Sequence, residues 1–257
     1  MALNATDTIK SALGSLKTGV GIKLIGIFLL IQLVNLGNQM LMTSGNALIS
    51  GVIGFLVGVA GLLAMLGAFR SLDQEQLKTE YFTTELLHPI KRVIGAQITS
   101  TIFVVLALTP AIIGAMLLGL SPIGAAVASG LLSGLGGVGA ALGAVTIIAS
   151  IFLFFYALLA LILSIPEVII DNNRMFEALD NSVLRTKGEK FNMFLALIPV
   201  MLIQVITVGF TAASGAAGAS TGAAANPGPL VLIVTSVLGS INAVLGYATL
   251  VEFNQRL

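Results

Sequence analysis

Four amide side chains share one face of the first long apolar segment of the chain. Gln32, Asn35, Asn38 and Gln39 occupy positions i, i+3, i+6 and i+7 of a helical repeat. If this segment crosses a membrane, such side chains face protein or a water-filled cavity. An amide can hydrogen-bond a solute or bind sodium, but it does not transfer protons. The stripe predicts either a polar path with a small-ligand site or hydrogen bonding between helices.

Three amides in later apolar segments are candidate partners for this stripe. If all of them converge, they form an uncharged polar core and a ligand path, made of Gln32, Asn35, Gln97, Gln204 and Asn242. The middle third of each predicted spanning segment lacks Asp, Glu, Lys, Arg and His. A proton-coupled pump needs a titratable relay, so the pattern disfavours one. A facilitator or a sodium-coupled carrier remains open.

The sequence offers little to a catalytic or metal-dependent mechanism. It contains no cysteine, which excludes a thiolate zinc site and a cysteine nucleophile. Its one histidine, His88, cannot form a histidine metal cluster. No serine stands in a nucleophile-elbow context. We therefore expect no enzyme activity, catalytic residue, metal or cofactor.

The composition places these residues in a membrane. The chain has 257 residues, of which 57% are hydrophobic and 9% are charged, with a mean hydropathy of +1.06. A soluble domain carries about a quarter charged residues, so an ordinary cytosolic enzyme is excluded. The net charge of +1 also disfavours a nucleic-acid-binding protein. These values predict a multi-pass protein of the cell membrane, with the lipid bilayer as its first partner.

The distribution of charge sets the number of crossings. The charged residues fall into four clusters, separated by uncharged stretches at 24–69, 93–166 and 191–251. A spanning helix needs about 20 apolar residues, so each stretch fits two crossings. A re-entrant segment within 120–143 is an alternative. The predicted spans are 24–42, 47–69, 93–119, 137–165, 191–210 and 229–251.

Two crossings per stretch return every charged cluster to the same side of the membrane. Because Lys and Arg mark the cytoplasmic side, both termini should be cytoplasmic. The predicted fold is an all-α transmembrane bundle of six helices in three hairpins, forming a single domain over 1–257. The turns between paired spans should fall near 43–46, 120–136 and 211–228, where turn-forming or small residues cluster.

Cytoplasmic amphipathic helices are predicted before each hairpin. The clearest is 171–188, with Met175, Phe176, Leu179 and Val183 on one apolar stripe. Asn172 or Asn173 can begin this helix and Gly188 can end it. A weaker pattern covers 7–20, and a third covers 71–88, opened by Ser71. Such helices lie in the membrane interface.

A second set of residues predicts packing rather than binding. Gly51, Gly54, Gly58 and Gly61 share one face of the second span, where small residues let helices approach closely. That face predicts packing within the chain or, alternatively, contact with a second copy or a membrane-protein partner.

Charged residues mark the cytoplasmic rim of the predicted bundle. The rim set is Glu167, Arg174, Lys187 and Glu252. Glu167 and Glu252 end the fourth and sixth spans and could pair with Arg70 or Arg174 from neighbouring segments. Lys187 belongs to the basic residues there that could contact anionic lipid headgroups.

The third cytoplasmic segment carries a family resemblance. The residues that carry it are Pro166-Glu167, Ala178-Leu179, Ser182, Lys187-Gly188 and Phe191. They resemble a motif of uncharacterised six-helix membrane proteins of archaea and bacteria, and of the membrane region of some glycerophosphodiester phosphodiesterases. Here the acidic residue directly follows the proline, which departs from the pattern. The resemblance implies a six-helix fold and no reaction.

Three functions fit these patterns to different degrees. A non-catalytic scaffold or accessory module fits the glycine face and the interfacial helices, and is favoured. A small-solute transporter or channel fits the uncharged polar stripe. A lipid-related membrane enzyme fits only the resemblance. The transporter makes a geometric prediction, namely that Gln32, Asn35, Gln204 and Asn242 border one cavity near the middle of the membrane.

Overall fold

The structure is a computed structural model that describes residues 3–43, 46–83, 89–117, 137–220 and 229–257. Within these ranges all regular elements are helices. The α-helices are α1 (Ala5–Leu16), α2 (Gly19–Thr43), α3 (Ala47–Asp73), α4 (Ile90–Leu117), α5 (Gly137–Leu161), α6 (Ser164–Ile169), α7 (Met175–Arg185), α8 (Lys190–Ser220) and α9 (Pro229–Arg256). A 3-10 helix occupies Thr79–Phe82.

Six of the described helical segments are long and apolar enough to cross a membrane, which confirms the predicted number. They are Gly19–Asn38, Ile49–Asp73, Ile90–Ala115, Ala141–Ile169, Lys190–Phe210 and Leu230–Arg256. The protein is therefore a multi-pass membrane protein. The cytoplasmic placement of both termini stays a prediction.

One predicted loop is partly helical. Helix α8 continues to Ser220, ten residues into the segment expected to be a loop at 211–228. Residues 211–220 are mostly Ala and Gly and include no proline. Alanine is the best helix former, which explains why the helix continues. Proline inside a helix does not end it here. Helix α4 continues through Pro110, and α8 continues through Pro199. The possible re-entrant segment at 120–143 lies largely outside the described residues.

The chain forms two compact units, which are described separately. Unit 1 comprises residues 1–91, 166–173 and 191–257, and unit 2 comprises 92–165 and 174–190. In unit 1, α9 packs against α1, α2 and α3. Tyr247 of α9 lies at the centre of this contact, with its ring centroid 5.4 Å from that of Phe28 and 5.1 Å from that of Phe69. Aromatic contacts of this kind stabilise the packing of α9 against α2 and α3.

Helix α1 confirms the first predicted amphipathic helix, but it begins earlier and ends before position 20. The side chain of Asn4 accepts a hydrogen bond from the amide of Thr6 at 3.0 Å and caps the helix. The face buried in unit 1 carries the small residues Thr8 and Ala12, and Ala12 packs beside Leu245 of α9. Leu13 is 41% exposed. Small side chains occupy the buried face of α1 because they let α1 lie close to α9.

The predicted amphipathic helix at 71–88 is wrong over its described part. Ser71 is fully buried inside α3, which runs on to Asp73. The chain then turns through Glu75, a residue with a φ of 51°, and forms the short 3-10 helix. The ring of Phe82 occupies the space that a side chain at Gly67 would need. The absence of a side chain at Gly67 thus lets this segment fold back onto α3.

Unit 2 contains the clearest predicted amphipathic helix, α7, which packs against α5. It runs over Met175–Arg185 and is shorter than the predicted 171–188. Arg174 precedes its first turn, so neither Asn172 nor Asn173 is the cap. The backbone amide of Arg174 donates to the Glu177 carboxylate at 3.4 Å. Gly188 follows the helix with a φ of +88°.

The hydroxyl of Ser182 anchors α7 to the end of α5. It donates to the carbonyl of Ala160 at 2.7 Å and accepts from the amide of Leu163 at 3.1 Å. Both groups lie where α5 ends and would otherwise lack helical partners. Ser182 and its neighbour on the same face, Ala178, are fully buried. The buried residues of α7 are therefore Ala178, Leu179 and Ser182, while Phe176 is 72% exposed.

Candidate functional site

A polar cavity lies inside unit 1, among helices α2, α8 and α9. Its volume is about 420 Å³. Small-molecule sites typically have volumes of about 300–1,000 Å³. All of its polar side chains are amides or hydroxyls. These are Gln32, Asn35, Gln204, Thr207, Thr235, Ser236 and Asn242.

The cavity lies deep along the spanning helices. Gln32 follows the charged residue Lys23 by nine positions on α2, and Asn242 precedes Glu252 by ten positions on α9. At 1.5 Å per helical residue, these separations are about 14 and 15 Å. The hydrocarbon core of a membrane is about 30 Å thick. The amides thus lie about half a membrane thickness from these charged residues, within apolar segments where an uncharged polar group is costly unless it is hydrogen-bonded.

One hydrogen bond fixes the arrangement of two amides in this cavity. The Nδ2 of Asn242 donates to the Oε1 of Gln204 at 3.1 Å, joining α9 to α8. The Oδ1 of Asn242 is buried and accepts no hydrogen bond from the described residues. A buried acceptor without a partner carries a desolvation cost of about 1–3 kcal/mol.

The hydroxyl groups add further acceptors to the cavity. Thr235 donates to the carbonyl of Val231 at 2.9 Å, and Ser236 donates to the carbonyl of Leu232 at 2.8 Å, both within α9. Since each hydroxyl proton is used by its own helix, the oxygen lone pairs remain for a ligand. Gly239 lies on the same wall, and a side-chain carbon there would sit 3.9 Å from the Nε2 of Gln32.

The chemistry of this lining suits one class of ligand. It offers amide donors, amide acceptors and hydroxyl oxygens, and none of the side chains that line it within the described ranges is charged. Such groups match a neutral molecule that carries hydroxyl or amide groups of its own. They provide neither a general base nor a strong nucleophile.

The structure brings together four of the five amides proposed for a polar core. Gln32, Asn35, Gln204 and Asn242 line one cavity, whereas Gln97 is exposed on α4 and does not line it. Gln97 fails to join because α4 belongs to the other unit.

The amides at the far end of the α2 stripe do not extend the cavity in the described residues. Asn38 is only 7% exposed and lies at the contact with α3, where its carbonyl accepts from Ser50 at 3.3 Å. The side chain of Gln39 is outside the described residues. The stripe therefore divides into a cavity-lining part and a helix-packing part.

Three lining residues were missed from the sequence, namely Thr207, Thr235 and Ser236. Their helical spacing is a signal that could have found them. Thr207 follows Gln204 by three positions, and Ser236 precedes Asn242 by six positions, with Gly239 between them. Residues spaced in this way share one helix face. Hydroxyl residues are common in membrane helices, so without the amides this spacing would mean little.

The predicted glycine face on α3 points mostly into open space. Within the described residues, nothing lies within 4 Å of a side-chain carbon built on Gly51, Gly58 or Gly61. At Gly54 the Nδ2 of Asn38 would be 3.1 Å away. Packing between the described parts of the chain therefore uses Gly54, and the other three glycines present a free helix surface.

The rim residues form hydrogen bonds that converge on the end of α9. Glu252 accepts a short hydrogen bond from the Ser11 hydroxyl of α1. It also forms an ion pair with Arg256, in which the Nε of Arg256 is 2.9 Å from the Glu252 carboxylate. Its charged partner is thus on its own helix, and the neighbouring segment supplies a hydroxyl. Asn254 donates to Asp171 at 3.2 Å, and Gln255 donates to Asp73 at 3.0 Å. Three separate segments are thereby joined to α9.

The remaining rim residues differ in exposure. Glu167 is 1% exposed and accepts from the side chain of Asn173 at 2.6 Å. Arg174 and Lys187 are exposed in unit 2. The described rim is therefore a hydrogen-bonding scaffold around α9, together with separate exposed basic groups.

Comparison with known proteins adds a family likeness to this geometry. Residues 140–252 match the family model for the membrane domain of glycerophosphoryl diester phosphodiesterase. Over this region the chain resembles that membrane domain. The match includes the α8 and α9 walls of the cavity, with Gln204 and Asn242, but not the α2 wall. No curated protein and no solved structure matches the chain.

The residues that carry the resemblance are mainly structural in this fold. Ala178 and Ser182 form the buried face of α7, and Gly188 adopts a backbone conformation that favours glycine. Ala178 and Ser182 thus serve the packing of α7, and Gly188 serves the turn that follows this helix.

Proposed function

We propose that this multi-pass membrane protein is a facilitator that binds a small uncharged polar solute in the cavity among α2, α8 and α9 and lets it cross the membrane. The proposed passage involves no chemical step. The observation that carries the proposal is the Asn242–Gln204 pair, which lines a cavity of about 420 Å³ and leaves the buried Oδ1 of Asn242 without a partner among the described residues.

The uncharged lining supports this class of solute. Amides and hydroxyls replace the hydrogen bonds that a neutral solute loses on leaving water. A charged solute would need a counter-charge at that depth, because burying an isolated ion is far more costly than burying a hydroxyl. The same lining supports a non-catalytic role, since amides do not exchange protons in acid–base catalysis.

The test is solute flux into liposomes that contain the purified protein. Stopped-flow light scattering with urea, glycerol and erythritol should show faster entry than into empty liposomes. Gln204→Leu should return the rate to that of empty liposomes. Gln97→Leu is the matched control, since it makes the same change outside the cavity and should keep the native rate.

Two results would overturn the proposal. The first is that none of the three solutes enters faster than into empty liposomes. The second is that the Gln204 variant keeps the native rate while remaining folded by circular dichroism and gel filtration.

A scaffold or accessory role is supported by a different observation, the free glycine face of α3. Gly51 and Gly58 present open helix surface next to Phe55, which is 70% exposed. Close helix contact needs such small residues. Gly58→Ile should dissociate a complex, as measured by single-molecule photobleaching in vesicles. Gly26→Ile, at an equally open position on α2, is the control. A chain that is monomeric and partner-free before mutation contradicts this role.

A further inference from the structure

A second cavity lies inside unit 2, on the face formed by α4, α5 and α7. Its volume is about 620 Å³, and its walls are almost entirely apolar. The side chains used below are Phe103, Leu106, Tyr156, Phe176, Asp180 and Val183. The cavity is separate from the polar one, and its lining suits the opposite kind of ligand.

The groove is elongated along the helices. On α4 its lining runs from Thr99 to Ala107, and on α5 from Leu153 to Leu161. Each run covers eight helical steps, or about 12 Å. At one end the amphipathic helix α7 contributes Phe176 and Val183, whose exposed fractions are 72% and 41%. A groove that is long and apolar matches an acyl chain.

A basic side chain lies at the α7 end of the groove. The Nζ of Lys190 is 4.5 Å from the ring centroid of Tyr156, which itself lines the groove. A cation–π contact of this kind holds a flexible lysine in place while its charge remains available. The same Nζ is 3.5 Å from the carbonyl of Thr186. Lys190 is therefore positioned beside the apolar wall.

The surrounding charge favours an anionic headgroup. In unit 2, five basic residues stand against three acidic ones. The acidic side chain that lines the groove is Asp180, whose carboxylate can accept hydrogen bonds from headgroup hydroxyls. The charged residues of this unit are Arg92, Arg174, Glu177, Asp180, Arg185, Lys187, Glu189 and Lys190.

We infer that this groove is a binding site for an anionic glycerophospholipid. One acyl chain lies along the apolar walls beside Phe103 and Leu106, the phosphate contacts Lys190, and a hydroxylated headgroup donates to Asp180. The residues of this site all belong to unit 2, whereas those of the solute cavity belong to unit 1.

The absence of tryptophan from the chain makes a direct test possible. Phe176→Trp introduces one indole in the groove. Phe152→Trp introduces one at an equally exposed position, also 72%, that does not line it. Each variant is placed in phosphatidylcholine vesicles that contain a minor fraction of either dibrominated phosphatidylglycerol or dibrominated phosphatidylcholine. Bromine on the acyl chain quenches an indole that it touches.

The expected result is several-fold more quenching at position 176 by the brominated phosphatidylglycerol than by the brominated phosphatidylcholine. Position 152 should show no such preference. Adding Lys190→Gln should abolish the preference at 176, whereas Lys187→Gln, which removes an exposed charge three residues earlier, should keep it. Equal quenching by the two lipids at 176, or equal effects of the two lysine changes, would overturn the inference.

A measurement on the tryptophan-free chain guards against misfolding of the indole variants. Native mass spectrometry from mild detergent should show phosphatidylglycerol retained by the unmodified protein and lost from Lys190→Gln. Retention that does not depend on Lys190 would count against the site.

Discussion

Asn242 donates a hydrogen bond to Gln204 at 3.1 Å, and its own carbonyl oxygen is buried without a partner among the described residues. The Oε1 of Gln204 thus has a donor, while the Oδ1 of Asn242 is left as an acceptor without one. The pair therefore makes two contributions: a modest stabilisation of the contact between α8 and α9, and an unpartnered acceptor at the wall of the polar cavity.

A double-mutant cycle should separate these two contributions. Changing Asn242, Gln204 or both to alanine should give a coupling free energy of about 0.6 kcal/mol, the average for hydrogen bonds between membrane helices. The measurement is the free energy of unfolding by steric trapping in bicelles. A coupling energy of zero would mean that the two amides do not interact.

The polar cavity should be accessible to water. Because the chain lacks cysteine, a single introduced thiol is the only reactive one. Thr235→Cys should react with a small hydrophilic methanethiosulfonate, since the thiolate forms in a hydrated site. Ile233→Cys, which replaces a side chain that is 53% exposed on the same helix and outside the cavity, should react much more slowly. Equal rates at the two positions would contradict a hydrated cavity.

The hydrogen bond between Ser11 and Glu252 should hold α1 against α9. Ser11→Ala removes the hydroxyl and leaves a carboxylate oxygen with one partner fewer, so the free energy of unfolding should fall by about 1–2 kcal/mol. Ser15→Ala is the control, because that hydroxyl bonds only within α1, to the Ser11 carbonyl at 3.2 Å. The control should change stability by less than about 0.5 kcal/mol. A reversed order of the two effects would show that the rim contact does not stabilise the unit.

The same substitution should act in opposite directions at two glycines. Gly188 has a φ of +88° and open space around it, so Gly188→Ala should destabilise by about 1–2 kcal/mol through backbone strain alone. Gly14 lies inside α1 with equally open surroundings, and Gly14→Ala should stabilise by about 0.5–1 kcal/mol. Chemical denaturation monitored by circular dichroism measures both. A stabilising change at Gly188 would contradict the backbone conformation described there.

The sidedness predicted from charge has its own test. Cysteines introduced at Ser44, Ser133 and Ala217 should react with an impermeant maleimide added outside intact cells, and one at Asn181 should not. The physical reason is that basic residues stay on the cytoplasmic side. Labelling of Asn181→Cys from outside, or protection of the other three sites, would reverse the proposed orientation.

Charge and hydropathy alone predicted the six spanning helices, because the cost of burying charge in lipid confines charged residues to the helix ends. Helical periodicity also predicted α7 and the shared face of Gln32 and Asn35. These properties depend on neighbours along the chain, which a sequence states directly. The predicted helix at 71–88 failed because Gly67 and Phe82 pack together, and no local pattern expresses that contact.

Only the tertiary structure decided which polar residues share a site. Gln97 and Gln204 look alike in sequence, as amides within apolar segments, but only Gln204 meets Asn242. Likewise the apolar stripe of α7 was predicted, whereas the groove that Phe176 and Val183 form with α4 and α5 was not. A sequence fixes the face on which a side chain lies, while the rotation and pairing of helices decide what that face meets. In a membrane this pairing depends on close packing and a few hydrogen bonds.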